Sequence, residues 1–236
     1  MLRISIRVLM FLGLTMALLV APVYSTTITT YSDPTSFQNA SSIVQTITFE
    51  GLAPTNGSTT YTGVTGLTTG NVEFIGYTSS GASWIQVIDT NFSSFFNFGS
   101  NDSLSQLLDR PTNGSPLPYI HVVLPAGVTA IGMDLFTVSP SALNFTVTVA
   151  GTPYTVPTDA LPTEQFFGVT SDTAMTSIDL TLQGTAFNGN THGLVDNFQF
   201  GTAMSEAPEA ATFLLIGSGL IGIAVLKKWI GKRSSA

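Results

Sequence analysis

The amino-acid sequence predicts an all-β domain, an antiparallel β-sandwich of jelly-roll type, set between an N-terminal signal peptide and a C-terminal transmembrane helix. Three observations predict it. The middle of the chain alternates apolar and polar residues with a period of two, as strands with one buried and one wet face do. The alternating runs are short and separated by Pro, Gly and Asn clusters that favour turns. The long unbroken apolar runs lie at the two chain ends, where they read as export and membrane signals.

Residues 1–25 carry Arg3 and Arg7 before an apolar run over 8–20, and Val23-Tyr24-Ser25 offers tolerated residues for cleavage after Ser25. Asp33-Pro34 has the pattern of an N-cap followed by proline at the first helical position, which predicts a short helix over 35–39. After it the period is two: Leu143, Phe145, Val147 and Val149 alternate with Asn144, Thr146 and Thr148, and Ile178, Leu180 and Leu182 alternate with Asp179 and Thr181. Further strands are expected over 43–49, 72–77, 83–88, 119–124, 129–135, 154–156, 165–169 and 194–200. Turn clusters such as Pro54-Thr55-Asn56-Gly57 and Pro125-Ala126-Gly127 punctuate them, and the polar stretch 51–70 reads as a surface loop with one edge strand. About ten short strands suit two facing sheets, for which a jelly roll is the expected topology. Residues 211–226 hold no charge and predict a short membrane span, with Lys227, Lys228, Lys232 and Arg233 on its cytoplasmic side by the positive-inside rule. The domains are thus 1–25, the exported sandwich 26–205, and the tail 206–236.

The 236 residues are 9% charged and 44% hydrophobic, too apolar for a disordered chain. Residues 26–205 contain twelve acids against the single base Arg110, a balance of about −11. That excludes nucleic acid as a partner, because neutralising phosphates takes Lys and Arg. The absence of cysteine excludes a disulfide framework, a thiolate metal site and a cysteine nucleophile.

Catalytic patterns are thin. His121 falls on a strand and His192 in a loop, and neither has a partner at the spacing of a zinc site or a nucleophile triad. No Gly-x-Ser-x-Gly, His-Glu-x-x-His or phosphate loop occurs. Two acids stand out. Regular alternation places Asp196 on one face with Leu194, Phe198 and Phe200, where an unpaired carboxylate would cost several kcal/mol. Glu50 ends the first long strand, and first and last strands of a sandwich often adjoin, so the two are a candidate pair for a hard cation such as Ca²⁺. Backbone amides would serve Asp196 equally well at a bulge. Among aromatics, Trp84, Phe92, Phe95, Phe96 and Phe98 crowd one region and are expected in the core, the alternative being an exposed sugar-stacking platform, and Tyr61, Tyr77 and Tyr119 are candidate exposed sugar contacts.

The tail runs Ala207-Pro208-Glu209-Ala210, then the apolar glycine-containing segment to Leu226, then the terminal basic cluster. This order resembles the PEP-CTERM sorting signal of exported Gram-negative proteins, with Ala210 where the family has a second proline and lysine mixed into the arginine-rich end. The resemblance implies processing at Pro208, Glu209 and Ala210 by an exosortase-like membrane protease, from an inner-membrane intermediate whose domain lies outside the cytoplasm. It further implies delivery to the cell surface or matrix of an exopolysaccharide-making organism. The exported domain resembles jelly-roll carbohydrate-binding modules, many of which hold a structural Ca²⁺ between first and last strands; this is what points Glu50 and Asp196 to calcium. The expected function is therefore a non-catalytic binding or structural component associated with extracellular polysaccharide. The alternative is a secreted carbohydrate-active hydrolase using an Asp/Glu pair.

Overall fold

A computed structural model describes residues 26–61, 66–78, 81–92, 102–106, 118–138, 143–158, 164–183 and 192–204. The expected signal peptide, the sorting motif Pro208, Glu209, Ala210 and the span 211–226 lie outside the described residues, as do Phe95, Phe96 and Phe98. Among the described residues no helix is long and apolar enough to cross a membrane.

In chain order the elements are β1 (Ile28–Tyr31), α1 (Pro34–Asn39), β2 (Ser41–Ile47), β3 (Ser58–Tyr61), β4 (Leu67–Thr69), β5 (Val72–Thr78), β6 (Gly81–Ser83) and β7 (Ile85–Asp89). They continue with β8 (Asp102–Gln106), β9 (Tyr119–Val123), β10 (Ala130–Val138), β11 (Leu143–Val149), β12 (Thr152–Thr158), β13 (Gln165–Ser171), β14 (Ser177–Gln183) and β15 (His192–Ala203). An eight-stranded sheet runs β1-β13-β10-β15-β8-β7-β3 with β2 also on β15. A seven-stranded sheet runs β12-β11-β14-β9-β5-β4 with β6 on β5. Every pairing is antiparallel.

The four-strand orders β2-β15-β10-β13 and β9-β14-β11-β12, with the chain switching sheets as it runs from β9 to β15, are those of a jelly roll. Strands β3 to β8 are inserted between β2 and β9 and widen both sheets. The inner faces meet in one core: Ile131, Met133, Val195 and Phe198 from the larger sheet pack with Phe74, Val122, Phe145 and Leu180 from the smaller.

Asp33 caps α1 as expected, its carboxylate accepting the Ser36 N–H at 2.7 Å. The helix lies on the outer face of the larger sheet through Phe37, which is fully buried. Gly132 and Gly168 sit opposite each other beneath it, and a Cβ on either would come within 2.7 Å of the Phe37 ring. Glycine is required at both because the ring occupies the space where side chains would stand.

One feature of β15 departs from the regular alternation. On β10 Gly132 faces Gln199 but Asp134 faces Asp196, so β15 carries one extra residue. Asn197 absorbs it with φ of 47°, in the left-handed region that asparagine tolerates. The bulge turns the strand by one face. Val195, Phe198 and Phe200 point inward, while Leu194 joins Ile88, Phe136 and Val138 in a second cluster on the outer face. The expectation that Leu194 and Phe198 share a face is thereby corrected.

Candidate functional site

The strands of the smaller sheet leave an outer face on which the alternation of β5, β9, β11 and β14 places polar and aromatic side chains. One rung across it reads Thr148, Asp179, His121, Ile75 in strand order. The next carries Tyr119 opposite Tyr77. These two rings stack, with centroids 5.1 Å apart and planes 11° from parallel. The Tyr77 ring also meets His121 edge-on at 6.1 Å.

His121 Nδ1 lies 2.6 Å from the Asp179 carboxylate, on side chains 30% and 40% exposed. A carboxylate only accepts, so the proton of this contact sits on Nδ1. Partial burial, then the charge of Asp179 and the neighbouring Tyr77, push the Tyr119 phenol above its ordinary 10.0. It therefore remains an O–H donor at neutral pH. Thr146, Thr148 and Thr181 continue the face as half-buried hydroxyls, and Asn144 and Gln183 are exposed at its end.

The three candidate tyrosines separate. Tyr77 and Tyr119 form the stack, whereas Tyr61 packs on the core and donates to the Leu52 carbonyl at 3.4 Å. Trp84 is 50% and Phe92 43% exposed, which corrects the expectation that both are core. Trp84 lies on the crossing from edge strand β6 to β7 of the other sheet, outside the space the sheets enclose. His121 was legible only as a lone histidine, because its partner comes from another strand 58 residues away.

Asp196 is buried, 1% exposed, and its carboxylate accepts the Asn197 N–H at 2.7 Å. The Asn197 side-chain amide donates to Asp134 at 2.8 Å, so one residue at the bulge serves two facing carboxylates. Glu50 lies on an exposed turn beyond the last β2–β15 pair, Ile47 and Phe198. Calcium takes six to eight oxygen ligands, and among the described residues no three carboxylate or imidazole groups converge. What the contacts show is the alternative reading, Asp196 served by a backbone amide at a bulge. Melting in millimolar Ca²⁺ and in EGTA is expected to give the same transition; a calcium-dependent rise abolished by Asp196→Asn would reverse this.

Burial raises the Asp134 carboxyl above its ordinary 3.8, only partly offset by the Asn197 hydrogen bond. Desolvation, then the charge of Asp134, raise Glu164 above 4.5. Both folded values exceed the unfolded ones, so the native state binds more protons in the window between them. These groups therefore make the protein less stable as pH rises through that window and more stable below it. Asp134→Asn, which keeps an acceptor for Asn197, is expected to raise the melting temperature at pH 7 and flatten its dependence on pH. A lower melting temperature at pH 7 would show that the charge itself is needed.

No family model matches the chain, and no curated protein matches it. Among solved structures the chain is similar to TmCBM61 in complex with β-1,4-galactotriose, at 19% identity and a TM-score of 0.34, over 49% of this chain and 80% of that one. It is also similar to the CBM22-1 xylan-binding domain of Xyn10C from Paenibacillus barcinonensis, at 20% identity and a TM-score of 0.33, over 71% of this chain and 98% of that one.

Proposed function

We propose that the protein is an exported, non-catalytic β-sandwich that binds neutral polysaccharide through the outer face of its seven-stranded sheet. The observation that carries this reading is the Tyr77–Tyr119 stack beside the His121–Asp179 pair on that face. Ring surfaces suit the C–H faces of sugars, and fixed donors and acceptors beside them suit hydroxyls. With about −11 on residues 26–205 and Arg110 their one base, an anionic polymer would be repelled.

The hydrolase reading needs two carboxyl groups about 5–9.5 Å apart flanking an open sugar site. The register sets Asp134 opposite Asp196 and Asp89 opposite Asp102. Asp196, Asp89 and Asp102 are buried and accept backbone N–H groups of Asn197, of Asn56 and Asn91, and of Ala53. These carboxylates fasten loops and a bulge, and Asp134, whose charge reaches Glu164, is tied to the same bulge by the Asn197 amide, which favours the binding reading.

Native gel electrophoresis through immobilised neutral polysaccharides, with xylan, galactan and mixed-linkage glucan as the panel, tests the reading. Retardation by at least one is expected, and unretarded migration in all would contradict it. The terminal segments complete the proposal: an exosortase-like protease acts at Pro208, Glu209 and Ala210, and the domain passes from the inner membrane to the cell surface or matrix. Intact-mass measurement of surface material is expected to lack residues beyond about Ala211. Recovery of chains that still carry Lys227 onward would leave a plain membrane anchor.

A further inference from the structure

The larger sheet has an outer groove of its own, beside α1, with a volume of about 770 Å³. That is within the range of small-molecule sites, about 300–1,000 Å³. Its origin lies in the rows of the sheet. Phe37 occupies the row of Tyr31, Gly168 and Gly132, and the adjacent row is built from the small residues Thr29, Thr170, Ala130 and Gly201. Next to a helix seated on glycines, a row of small side chains leaves a depression. Thr29, Tyr31 and Thr170 line it from the sheet, Ser36 and Asn39 from α1, and Asp172 from the turn after β13.

The lining chemistry selects the ligand. Residues with hydroxyls are the most numerous in the lining, with one amide and one carboxylate, and no Lys, Arg or His contributes, so a phosphate, sulfate or uronate has no counter-charge there. Its apolar surface comes from the Tyr31 ring, Met204, two alanines and threonine methyls, a shallow scatter that suits the C–H faces of a sugar ring. Tyr31 is fixed before any ligand arrives, its ring edge-on to Phe37 at 5.9 Å and its hydroxyl 3.2 Å from that of Thr170. Asn39 and Thr29 are exposed and present polar groups to an incoming ligand, as does the exposed Asp172, one oxygen of which already accepts the Thr27 N–H at 3.0 Å. From these features we infer that the groove is a second binding site for a neutral saccharide.

The inference takes its ligand class from the groove itself and rests on the proposed function only for its consequence. The two sites lie on opposite outer faces of the sandwich, so neither can continue the other along one sugar chain within a sheet. A protein with both would join two polysaccharide strands and act as a cross-linker of the matrix, with avidity set by the pair.

Titration calorimetry of the full chain with xylotetraose and with β-1,4-galactotriose, in a detergent lacking a sugar headgroup, separates the possibilities. Two sites per chain are expected for the wild type, together with rising light scattering when the protein is mixed with the matching polymer. Thr29→Lys lays a long side chain over the groove floor on an exposed edge strand that tolerates lysine, and Asn39→Ala removes the amide. Each should leave one site and abolish the scattering, while gel retardation through the opposite face persists. Tyr119→Ala should likewise leave one site, and that one should be sensitive to Thr29→Lys. A single site indifferent to both Thr29→Lys and Asn39→Ala overturns the groove while leaving the proposed function intact. A single site lost in Thr29→Lys and unchanged in Tyr119→Ala supports the groove and overturns the sheet-face reading. No heat with either sugar overturns both.

Discussion

Phe198→Ala is expected to cost about 3–5 kcal/mol of folding stability, the usual range for truncating a fully buried aromatic. Phe198 has no exposed surface and stands inward immediately after the bulge on β15. Its ring meets Phe74 of the opposite sheet edge-on, with centroids 5.3 Å apart, and Phe74 meets Phe49 in the same way at 5.3 Å. The three rings bridge the two sheets, so removing the first leaves a cavity whose walls belong to both and cannot close by moving one side chain. At about 2–4 °C per kcal/mol for a domain of this size, the melting temperature should fall on the order of 10 °C. Val44→Ala, at a site 74% exposed on β2, is the comparison and should change stability by less than about 0.5 kcal/mol. Equal effects in the two would mean that the bulge does not aim Phe198 into the core.

Tyr119→Ala is expected to weaken saccharide binding at the outer face of the seven-stranded sheet about ten- to a hundredfold. Covering a large side chain is worth about 1.5–3 kcal/mol, and each 1.4 kcal/mol is about tenfold in affinity. The loss is compounded because Tyr119 holds the Tyr77 ring in place and Tyr77 in turn borders His121. The side chain is only half buried on the outer face, so folding should be little changed and the thermal transition should stay near that of the wild type. Tyr61→Ala provides the converse: it packs on the core and should lower stability without affecting binding by the folded protein. Retention of full affinity in Tyr119→Ala would move the site elsewhere.

Local signals in the sequence foretold the parts of the fold that local chemistry decides. Asp33-Pro34 marked the start of α1, and the alternation through Phe145, Val147 and Val149 gave the inward face of β11. What escaped depends on partners distant along the chain. Strands β1, β3, β4 and β6 are three or four residues long, too short for a period to be counted, and they exist because a neighbouring strand supplies their hydrogen bonds. The bulge at Asn197 escaped because an extra residue is invisible until the strand opposite is known; it changed which residues share a face with Asp196. The Asp196 carboxylate was recognisable as one that needs compensation, and the structure supplies a backbone amide within the same bulge. Tyr77 and Tyr119 could be named from sequence, but their stacking comes from the register of β5 on β9. The His121–Asp179 pair likewise needs β14 beside β9.

The most direct test of the sheet-face assignment uses His121 as a reporter, since the chain contains only two histidines, His121 and His192. In proton NMR the imidazole signal assigned to His121 by its loss in His121→Gln should shift saturably as xylotetraose or β-1,4-galactotriose is added. That shift should vanish in Tyr119→Ala and persist in Thr29→Lys. Saturable binding of either sugar with the His121 signal unmoved would contradict the assignment of the Tyr77, Tyr119, His121 face as the saccharide site.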